Sequence, residues 1–238
     1  MKVLVTGSAG YIGQHLCKML RQNGHYVIGL DRIDNPSMCD EFIHQSVLEN
    51  TLIEGEYDTI VHLAALVRVG ESQKYPMSYI KTNVVGTINL LANATYKHFI
   101  CASTGTAENP TSTYGTTKLV DEILIEQYCK LDKKPYTLFR FYNVIGTDGF
   151  PPTNPDGLMY NLIKAKETGE FNVYGVDYNT PDGTALRDYV HVLEICWAIE
   201  KAIQRPSFVH GSEVQPFYEY LGHHALVSVQ ECIYAFKR

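Results

Sequence analysis

Three residue types in this sequence, serine, tyrosine and lysine, have the spacing needed for proton transfer next to a bound nicotinamide. Tyr114 and Lys118 are four residues apart, so on a helix both side chains point to one face. Ser103 ends a predicted strand shortly before them. A second pair of this spacing, Tyr160 and Lys164, follows no such strand, and we interpret it as part of a helix surface. Ser103, Tyr114 and Lys118 are therefore the candidate catalytic residues.

A glycine turn would hold the nucleotide that this chemistry requires. Gly7, Gly10 and Gly13 follow an apolar run at residues 3–5. They predict a strand, a tight turn and a helix whose N-terminus receives a pyrophosphate. Asp31 ends the second predicted strand, about 20 residues further on, where a carboxylate can accept hydrogen bonds from ribose hydroxyls. The same charge repels a 2′-phosphate, which favours NAD over NADP.

The elements that must position these residues alternate along the first part of the chain. Short apolar runs predict strands at residues 2–6, 26–30, 42–47, 58–63, 98–103 and 136–142. The intervening patterns predict helices at residues 11–23, 76–97 and 114–131. Such alternation is typical of a parallel sheet with right-handed crossovers. The predicted fold class is therefore α/β, a Rossmann-type doubly wound parallel sheet with its ligand site at the carboxyl ends of the strands.

A change of pattern divides the chain into two parts. Three prolines between Gly146 and Gly157 predict a loop that leaves the sheet. Beyond this loop the pattern predicts a helix over 158–168, a strand over 171–175 and a helix over 193–204. We expect an NAD-binding domain over residues 1–150 and a small, reduced substrate-binding lobe over 151–238, with sheet and lobe interleaved near 174–205.

Composition argues against several other classes of protein. Acidic and basic residues are interspersed in a chain of 238 residues with a net charge of −6, so no nucleic-acid surface is indicated. The nine histidines have no spacing typical of a metal site. Six scattered cysteines without a C-x-x-C pair are typical of single thiols in a reducing compartment. With no signal peptide and no apolar run long enough to cross a membrane, we expect a cytoplasmic protein without metal or membrane contact.

Taken in order, these residues resemble the extended short-chain dehydrogenase/reductases that act on nucleotide sugars. The likeness rests on the residues named above and on four further segments, at 62–65, 69–72, 83–87 and 140–143. Residues 174–192, Tyr-Gly-Val-Asp-Tyr-Asn-Thr-Pro-Asp-Gly-Thr-Ala-Leu-Arg-Asp-Tyr-Val-His-Val, are similar to the substrate-domain signature of UDP-glucose 4-epimerases. The resemblance covers nearly the whole chain.

The resemblance implies an epimerisation without net oxidation, in which tightly held NAD takes a hydride from C4 of a UDP-sugar and returns it to the other face. Tyr114 would remove the proton of the 4-hydroxyl, Lys118 would lower the pKa of that tyrosine, and Ser103 would hydrogen-bond the 4-oxygen. The implied cofactor-binding residues are Gly7, Gly10, Tyr11, Ile12, Gly13, Asp31, Leu63, Ala64, Ala65, Thr82, Asn83, Lys118 and Tyr142. The implied substrate-binding residues are Ser103 and Tyr114 at the 4-hydroxyl of the sugar, Asn143 and Arg187 near the diphosphate, and Asn172 and Tyr174 beside the uracil.

The chain also departs from this family. Ser103 and Tyr114 are eleven positions apart, where the family has a longer loop that helps to wall the sugar site. Gln45 and Ser46 stand where the family has a Gly-Asp pair near the adenine. Residues 221–224 read Leu-Gly-His-His instead of Leu-Gly-x-Gly, and the family generally continues well beyond this point. We therefore expect a more open pocket, weaker adenine contacts and a smaller substrate lobe.

Other interpretations of the same residues stay open. Ser103 could cap a turn, Asn143 could satisfy loop backbone groups, and Arg187 could form a surface ion pair. A dehydratase or a decarboxylase on this scaffold needs an acid just after the serine, and here none occurs before Glu108. A net oxidoreductase and a catalytically impaired NAD-binding protein remain alternatives to the epimerase.

The resemblance further implies a homodimer formed through helices 76–97 and 114–131. Apolar residues occupy more than one face of the second helix, namely Leu119, Val120, Ile123, Leu124 and Tyr128. Burial against both the sheet and a partner would require such a pattern, although packing on the sheet alone explains it as well. The expected partners are thus a UDP-sugar and a second copy of the chain.

Overall fold

A parallel β-sheet of seven strands forms the centre of the protein. The computed structural model describes residues 1–36, 38–49, 55–205, 209–210, 213–214, 217–222 and 225–236. In chain order the strands are β1 (Lys2–Thr6), β2 (Tyr26–Asp31), β3 (Glu41–His44), β4 (Glu56–His62), β5 (Thr95–Thr104), β6 (Tyr136–Phe141), β7 (Asn143–Ile145), β8 (Leu186–Arg187), β9 (Tyr189–His191), β10 (Val209–His210), β11 (Glu213–Val214), β12 (Phe217–Leu221) and β13 (Val227–Ser228). The α-helices are α1 (Tyr11–Gln22), α2 (Val69–Lys74), α3 (Pro76–Tyr79), α4 (Gly86–Asn93), α5 (Thr113–Leu131), α6 (Leu158–Thr168), α7 (Val192–Gln204) and α8 (Val229–Phe236).

The order of the strands places a crevice between β1 and β4. The sheet runs β12-β6-β5-β4-β1-β2-β3, so the chain builds outward from β1 in one direction and from β4 in the other. At such a reversal the connections leave the sheet toward opposite faces, which opens a crevice at the carboxyl ends of the strands. Gly7 follows β1, and Ser103 lies near the carboxyl end of β5. The predicted Rossmann-type α/β fold is therefore confirmed.

Apolar layers cover both faces of the sheet. Because successive residues of a strand point to opposite faces, Val3 and Val5 pack with Leu16 of α1, whereas Leu4 packs with Ile125 of α5. A strand covered on both faces must be apolar throughout, which explains the continuous apolar run of β1. Helices α1 and α7 cover one face, and α4 and α5 cover the other.

Two predicted elements were wrong. The predicted helix 76–97 ends with α4, and β5 already begins at Thr95. Thr95 pairs with Glu56 of β4, and pairing with a neighbouring strand outweighs the local helical pattern. The helix is also interrupted, because a π-helical segment, Ile80–Val85, separates α3 from α4. The predicted strand at 171–175 does not form, and this segment lies outside the sheet.

The second part of the chain returns to the sheet. Helix α7 packs beside α1, with Ile195 and Ile199 in the apolar layer of that face. Strand β12 then pairs in parallel with β6. The boundary between the domains 1–150 and 151–238 stays a prediction. Among the described residues, no helix is long and apolar enough to cross a membrane.

The loop after β7 is fastened to α1. The Tyr11 hydroxyl donates to the Gly146 carbonyl, and the His15 Nε2 accepts from the Asp148 backbone N–H at 3.0 Å. The Phe150 ring meets the His15 ring edge-on, with centroids 5.1 Å apart. This loop therefore covers the start of α1, next to the glycine turn.

Candidate active site

The glycine turn forms a cradle into which no side chain fits. Gly7 has a φ of 72°, in the left-handed region that glycine adopts without strain. A Cβ added there would lie 2.8 Å from the Ala64 backbone nitrogen. A Cβ on Gly13 would lie 2.1 Å from the carbonyl oxygen of Gly7. Gly10 caps α1 without a side chain over the first N–H groups, so these are available to an anion. The cradle fits the pyrophosphate of a dinucleotide.

Asp31 braces this cradle. Its Oδ2 accepts from the Ala9 backbone N–H at 3.0 Å, and its Oδ1 accepts from the Ile33 N–H at 2.9 Å. Each carboxylate oxygen can accept a further hydrogen bond, as the predicted ribose contact requires. Asp31 lies beside the cavity rather than in its lining. Its predicted contact with ribose stays a prediction.

The loop after β4 is held in place by Asn83. The buried Asn83 side chain accepts from the Leu66 N–H at 2.8 Å, and it donates to the Leu66 carbonyl at 3.1 Å and to the Thr117 hydroxyl at 3.0 Å. Leu63 and Ala65 of this loop line the cavity. Ala64, Thr82 and Asn83, which we also predicted at the cofactor, lie outside the lining, and Asn83 acts on the cavity through the loop it fixes.

The three candidate catalytic residues line one cavity of about 1380 Å³ at the carboxyl ends of the strands. Ser103 comes from β5, and Tyr114 and Lys118 come from the first turns of α5. The Ser112 hydroxyl caps that helix by accepting from the Gly115 N–H at 3.1 Å. The cavity is larger than the roughly 300–1,000 Å³ of a site for one drug-sized ligand, so it has room for two.

Burial and neighbouring groups change the pKa of Tyr114 in opposite directions. Burial raises the pKa of Tyr114, while the Lys118 ammonium and a hydrogen bond with Thr104 oppose that rise. The backbone N–H of Tyr114 donates to the Ser72 hydroxyl at 3.1 Å, which fixes the start of α5 against α2. The backbone of Tyr114 is therefore fixed, and the Lys118 cation favours the ionised form of its side chain.

Lys118 forms a buried ion pair that we did not predict. Its Nζ lies 2.9 Å from Oδ2 of Asp121, and the two side chains are 3% and 1% exposed. Burial alone lowers the pKa of Lys118, but Asp121, together with Cys101 and Tyr114, reverses the effect and leaves this pKa above its ordinary value. Lys118 is therefore a permanent cation at working pH.

Ser103 is connected to a second buried ion pair. Its hydroxyl donates to Oε1 of Glu122. Arg140, opposite Ser103 in β6, holds the same carboxylate through two hydrogen bonds, from Nε at 2.9 Å and from Nη2 at 2.7 Å. Because the serine proton is directed at Glu122, the remaining lone pairs of the Ser103 oxygen can accept a hydrogen bond from a ligand.

The outer part of the cavity is polar. Tyr142, predicted at the cofactor, and Asn143 and Arg187, predicted at the substrate, line the cavity, and their contacts with these ligands stay predictions. The Asn143 amide donates to the Asp188 carbonyl at 2.9 Å, and Arg187 is exposed. Asn172 and Tyr174 do not line the cavity, and Tyr174 is 83% exposed, so their place beside the uracil stays a prediction.

Further polar groups reach this cavity. Arg68 forms a paired hydrogen bond with Asp156, at 2.7 and 3.0 Å, and both residues line the cavity. Tyr160 also lines it, whereas its sequence partner Lys164 is exposed elsewhere on α6. Within the described ranges, no three His, Cys, Asp or Glu side chains are grouped so that they could hold a metal ion.

Sequence reasoning missed Asp121 and Glu122, although a signal was available. They follow Lys118 by three and four residues, the spacings at which helical side chains meet. Two acids on the helix face that also carries Lys118 and Ile125 would be buried without partners unless they formed ion pairs.

The fold and this site define a class of protein. A Rossmann sheet, a glycine cradle and a Ser/Tyr/Lys group share one cavity. The sequence model of the NAD dependent epimerase/dehydratase family matches residues 3–215. The chain belongs to this family.

Within the family, the chain is similar to UDP-glucose 4-epimerases. It is 30% identical over 280 residues to the UDP-glucose 4-epimerase of Neisseria meningitidis serogroup C, a match that covers 99% of this chain and 81% of the relative. The crystal structure of a UDP-glucose 4-epimerase from Stenotrophomonas maltophila, with bound NAD and formylated UDP-arabinopyranose, has a TM-score of 0.85 at 30% identity and covers 100% of this chain and 82% of that one. A UDP-glucuronic acid 4-epimerase from Bacillus cereus, in complex with UDP-glucuronic acid and NAD, has a TM-score of 0.82 at 26% identity, with 100% and 82% covered.

Proposed function

We propose that this protein is an NAD-dependent epimerase that interconverts UDP-glucose and UDP-galactose at C4 of the sugar. One observation carries the proposal: Ser103, Tyr114 and Lys118 share a cavity with the glycine cradle. The family match and the similarity to UDP-glucose 4-epimerases support it.

The cofactor would lie along the carboxyl ends of the strands. The cradle around Gly7 would hold its pyrophosphate, with Tyr11, Leu63 and Tyr142 lining its path toward Lys118. When bound, NAD supplies the acceptor for the hydride that leaves the sugar carbon and the donor that returns it. The braced carboxylate of Asp31 would accept hydrogen bonds from a ribose and would repel the 2′-phosphate of NADP.

Tyr114 would move the proton of the sugar hydroxyl. In its ionised form the phenol oxygen accepts this proton as the hydride leaves, and it gives the proton back when the hydride returns. Lys118 favours the ionised form because its ammonium acts electrostatically on the phenol in a buried site. Ser103 would accept a hydrogen bond from a neighbouring hydroxyl of the sugar and so orient the ring, because the one proton of the reacting hydroxyl goes to Tyr114.

The diphosphate of the substrate would lie at the polar end of the cavity. Arg187 there is exposed and can form charge-assisted hydrogen bonds with phosphate oxygens. The Asn143 side chain, anchored on Asp188, would add a contact with the same group. Asn172 and Tyr174 are the candidates for contact with the uracil.

We further propose that the protein is a cytoplasmic homodimer formed through α3, α4 and α5. Apolar side chains on these helices and the π-helical segment are exposed: Ile80 is 39%, Ile88 is 42% and Ile123 is 50% exposed. Their burial in a dimer would remove this apolar area from water. Sedimentation equilibrium would test the dimer, and an Ile123→Glu variant should be monomeric if the interface is correct.

A dehydratase on this scaffold is disfavoured, because Ser103 and Thr104 are followed by Gly105 and Thr106, and the first acid, Glu108, is exposed outside the cavity lining. A net oxidoreductase and an NAD-binding protein without turnover are the remaining alternatives. They differ from an epimerase in consuming external cofactor or in producing no isomer.

Proton NMR of the purified protein with UDP-galactose tests the proposal. We expect UDP-glucose to accumulate with NAD in catalytic amounts. Tyr114→Phe should lower kcat by about 10²–10⁴-fold, whereas Tyr128→Phe, the same change on α5 away from the cavity, should leave it unchanged. No conversion of UDP-galactose, UDP-glucuronate or N-acetylated UDP-sugars, with added NAD, would refute the epimerase. Retained NAD binding without conversion would then favour the binding protein.

A further inference from the structure

The cation that activates Tyr114 is neutralised by a carboxylate that we found only in the structure. Lys118 Nζ and Asp121 Oδ2 are 2.9 Å apart, and both side chains are almost fully buried. Oδ1 of the same carboxylate is buried and has no hydrogen bond within 3.5 Å among the described residues, although the Thr87 hydroxyl also favours the charged form of this carboxylate. A half-satisfied carboxylate in the interior is costly, so its pairing with Lys118 requires an account beyond packing.

The other titratable groups around Lys118 do not supply this counter-charge. His62, on β4, is fully buried, and burial together with Lys118 lowers its pKa to about 3, so it is neutral. Cys101 Sγ, on β5, lies 4.0 Å from Nζ, and burial raises the pKa of this thiol to about 12, so it is protonated. Glu122 is matched by Arg140. Burial raises the pKa of Asp121 while Lys118 opposes that rise, and Asp121 is the carboxylate in contact with Nζ.

We propose that Asp121 is a positioning residue that holds the Lys118 ammonium and sets the pH at which Tyr114 ionises. This inference deepens the proposed function and rests on its assignment of Tyr114 and Lys118. Asp121 works in two ways: its hydrogen bond fixes the position of Nζ, and its charge weakens the electrostatic field that Nζ exerts on the Tyr114 phenol. The tyrosine would therefore stay mostly protonated unless a bound nicotinamide supplied a second positive charge.

The expected size of the effect follows from the helix. Tyr114 and Asp121 are seven positions apart on α5, which corresponds to a rise of about 10 Å along the helix. At an effective dielectric constant near 20, a unit charge at this distance shifts a pKa by about one unit. Asp121→Asn removes the charge but keeps an oxygen that can accept from Nζ, so the Tyr114 pKa should fall by about one unit.

Two readouts test this. In protein labelled with ¹³Cζ-tyrosine, the Tyr114 resonance is assigned by its absence in Tyr114→Phe, and its titration is followed without substrate. We expect the midpoint in Asp121→Asn to lie about one pH unit below that of the wild type, and the acidic limb of the kcat profile to move by the same amount. Asp132→Asn, which removes the carboxylate of a surface ion pair after the same helix, should move neither.

Each outcome decides the proposal. An unchanged Tyr114 midpoint in a folded Asp121→Asn protein would overturn it and leave Asp121 a structural residue. If this variant does not fold, Asp121→Ser, which is smaller and also uncharged, carries the same expectation, and failure of both to fold would overturn the tuning role. Because the NMR titration needs no turnover, a protein without epimerase activity would refute the proposed function and still test this inference.

Discussion

The ion pair between Glu122 and Arg140, next to Ser103, leads to a prediction about both the stability and the turnover of the protein. Glu122 accepts from Ser103 and from two nitrogens of Arg140, and the Glu122 and Arg140 side chains are 3% and 12% exposed. Glu122→Gln keeps the shape of the side chain but removes its charge. The guanidinium then lacks a counter-charge in a site closed to water.

The magnitude follows from the two lost charge-assisted bonds. Removing one partner of a buried ion pair costs about 3–5 kcal/mol, and glutamine recovers part of this because its carbonyl still accepts from one guanidinium nitrogen. We therefore expect the free energy of unfolding to fall by about 2–3 kcal/mol. For a chain of this size that lowers Tm by on the order of 4–12 °C. The glutamine amide can also donate to the Ser103 oxygen, which occupies a lone pair that the substrate would use, so kcat should fall about tenfold or more.

Urea unfolding and differential scanning calorimetry measure the first effect, and NMR turnover at 20 °C measures the second. The matched control is Glu126→Gln, which removes a surface pair with Lys130 on the same helix, 2.6 Å apart, and should change Tm little. Equal losses in Tm for the two variants would refute the argument from burial. An unchanged kcat in folded Glu122→Gln would refute the assigned orientation of the Ser103 hydroxyl.

Two further predictions concern the cradle and the core. Gly13→Ala places a Cβ 2.1 Å from a backbone oxygen of the same turn. We therefore expect the unfolding free energy to fall by about 1–3 kcal/mol and NAD binding, measured by calorimetry, to weaken at least tenfold. Gly70→Ala, whose added Cβ meets no atom within 4 Å, should leave the unfolding free energy unchanged. Burial lowers the pKa of His62 in the folded protein from 6.5 to about 3. Below pH 6.5 the unfolded chain therefore binds more protons than the folded protein, and the free energy of unfolding falls as the pH drops. This residue contributes up to about 1.4 kcal/mol for each pH unit. Urea midpoints from pH 7 to pH 4 measure that slope, and an equal slope in His62→Gln would contradict it.

The sheet and its glycine turn were predictable because their signals are local. An apolar run, three glycines and an acid about 20 residues later are read directly from the sequence. Thr95 was predicted to be helical because its strand partner, Glu56, lies 39 residues earlier in the chain. A pairing at that distance does not affect the local pattern of apolar residues. The predicted strand at 171–175 does not form, because a short apolar run becomes a strand only where a sheet edge is available to pair with it.

The candidate catalytic residues were predictable by type, but their electrostatics were not. Tyr114 and Lys118 have a recognisable spacing, and the structure brings them to one cavity with Ser103. The contribution of Glu122 depends on Arg140, which comes from another strand and is placed opposite Ser103 by the register of β5 and β6. A sequence pattern contains no register, so this contact could not be found from it.

The loop that fastens α1 has a consequence for how the protein is made. Tyr11 and His15 contact the backbone of residues 146 and 148, more than a hundred residues later in the chain. During synthesis, α1 therefore leaves the ribosome well before the loop that covers it has been made. At a synthesis rate of about 5–20 residues per second, that delay is on the order of 10 s. During this interval β1 and α1 have apolar faces without their final neighbours. The N-terminal part of the chain therefore has uncovered apolar surface during this interval, when it is most open to association with other chains.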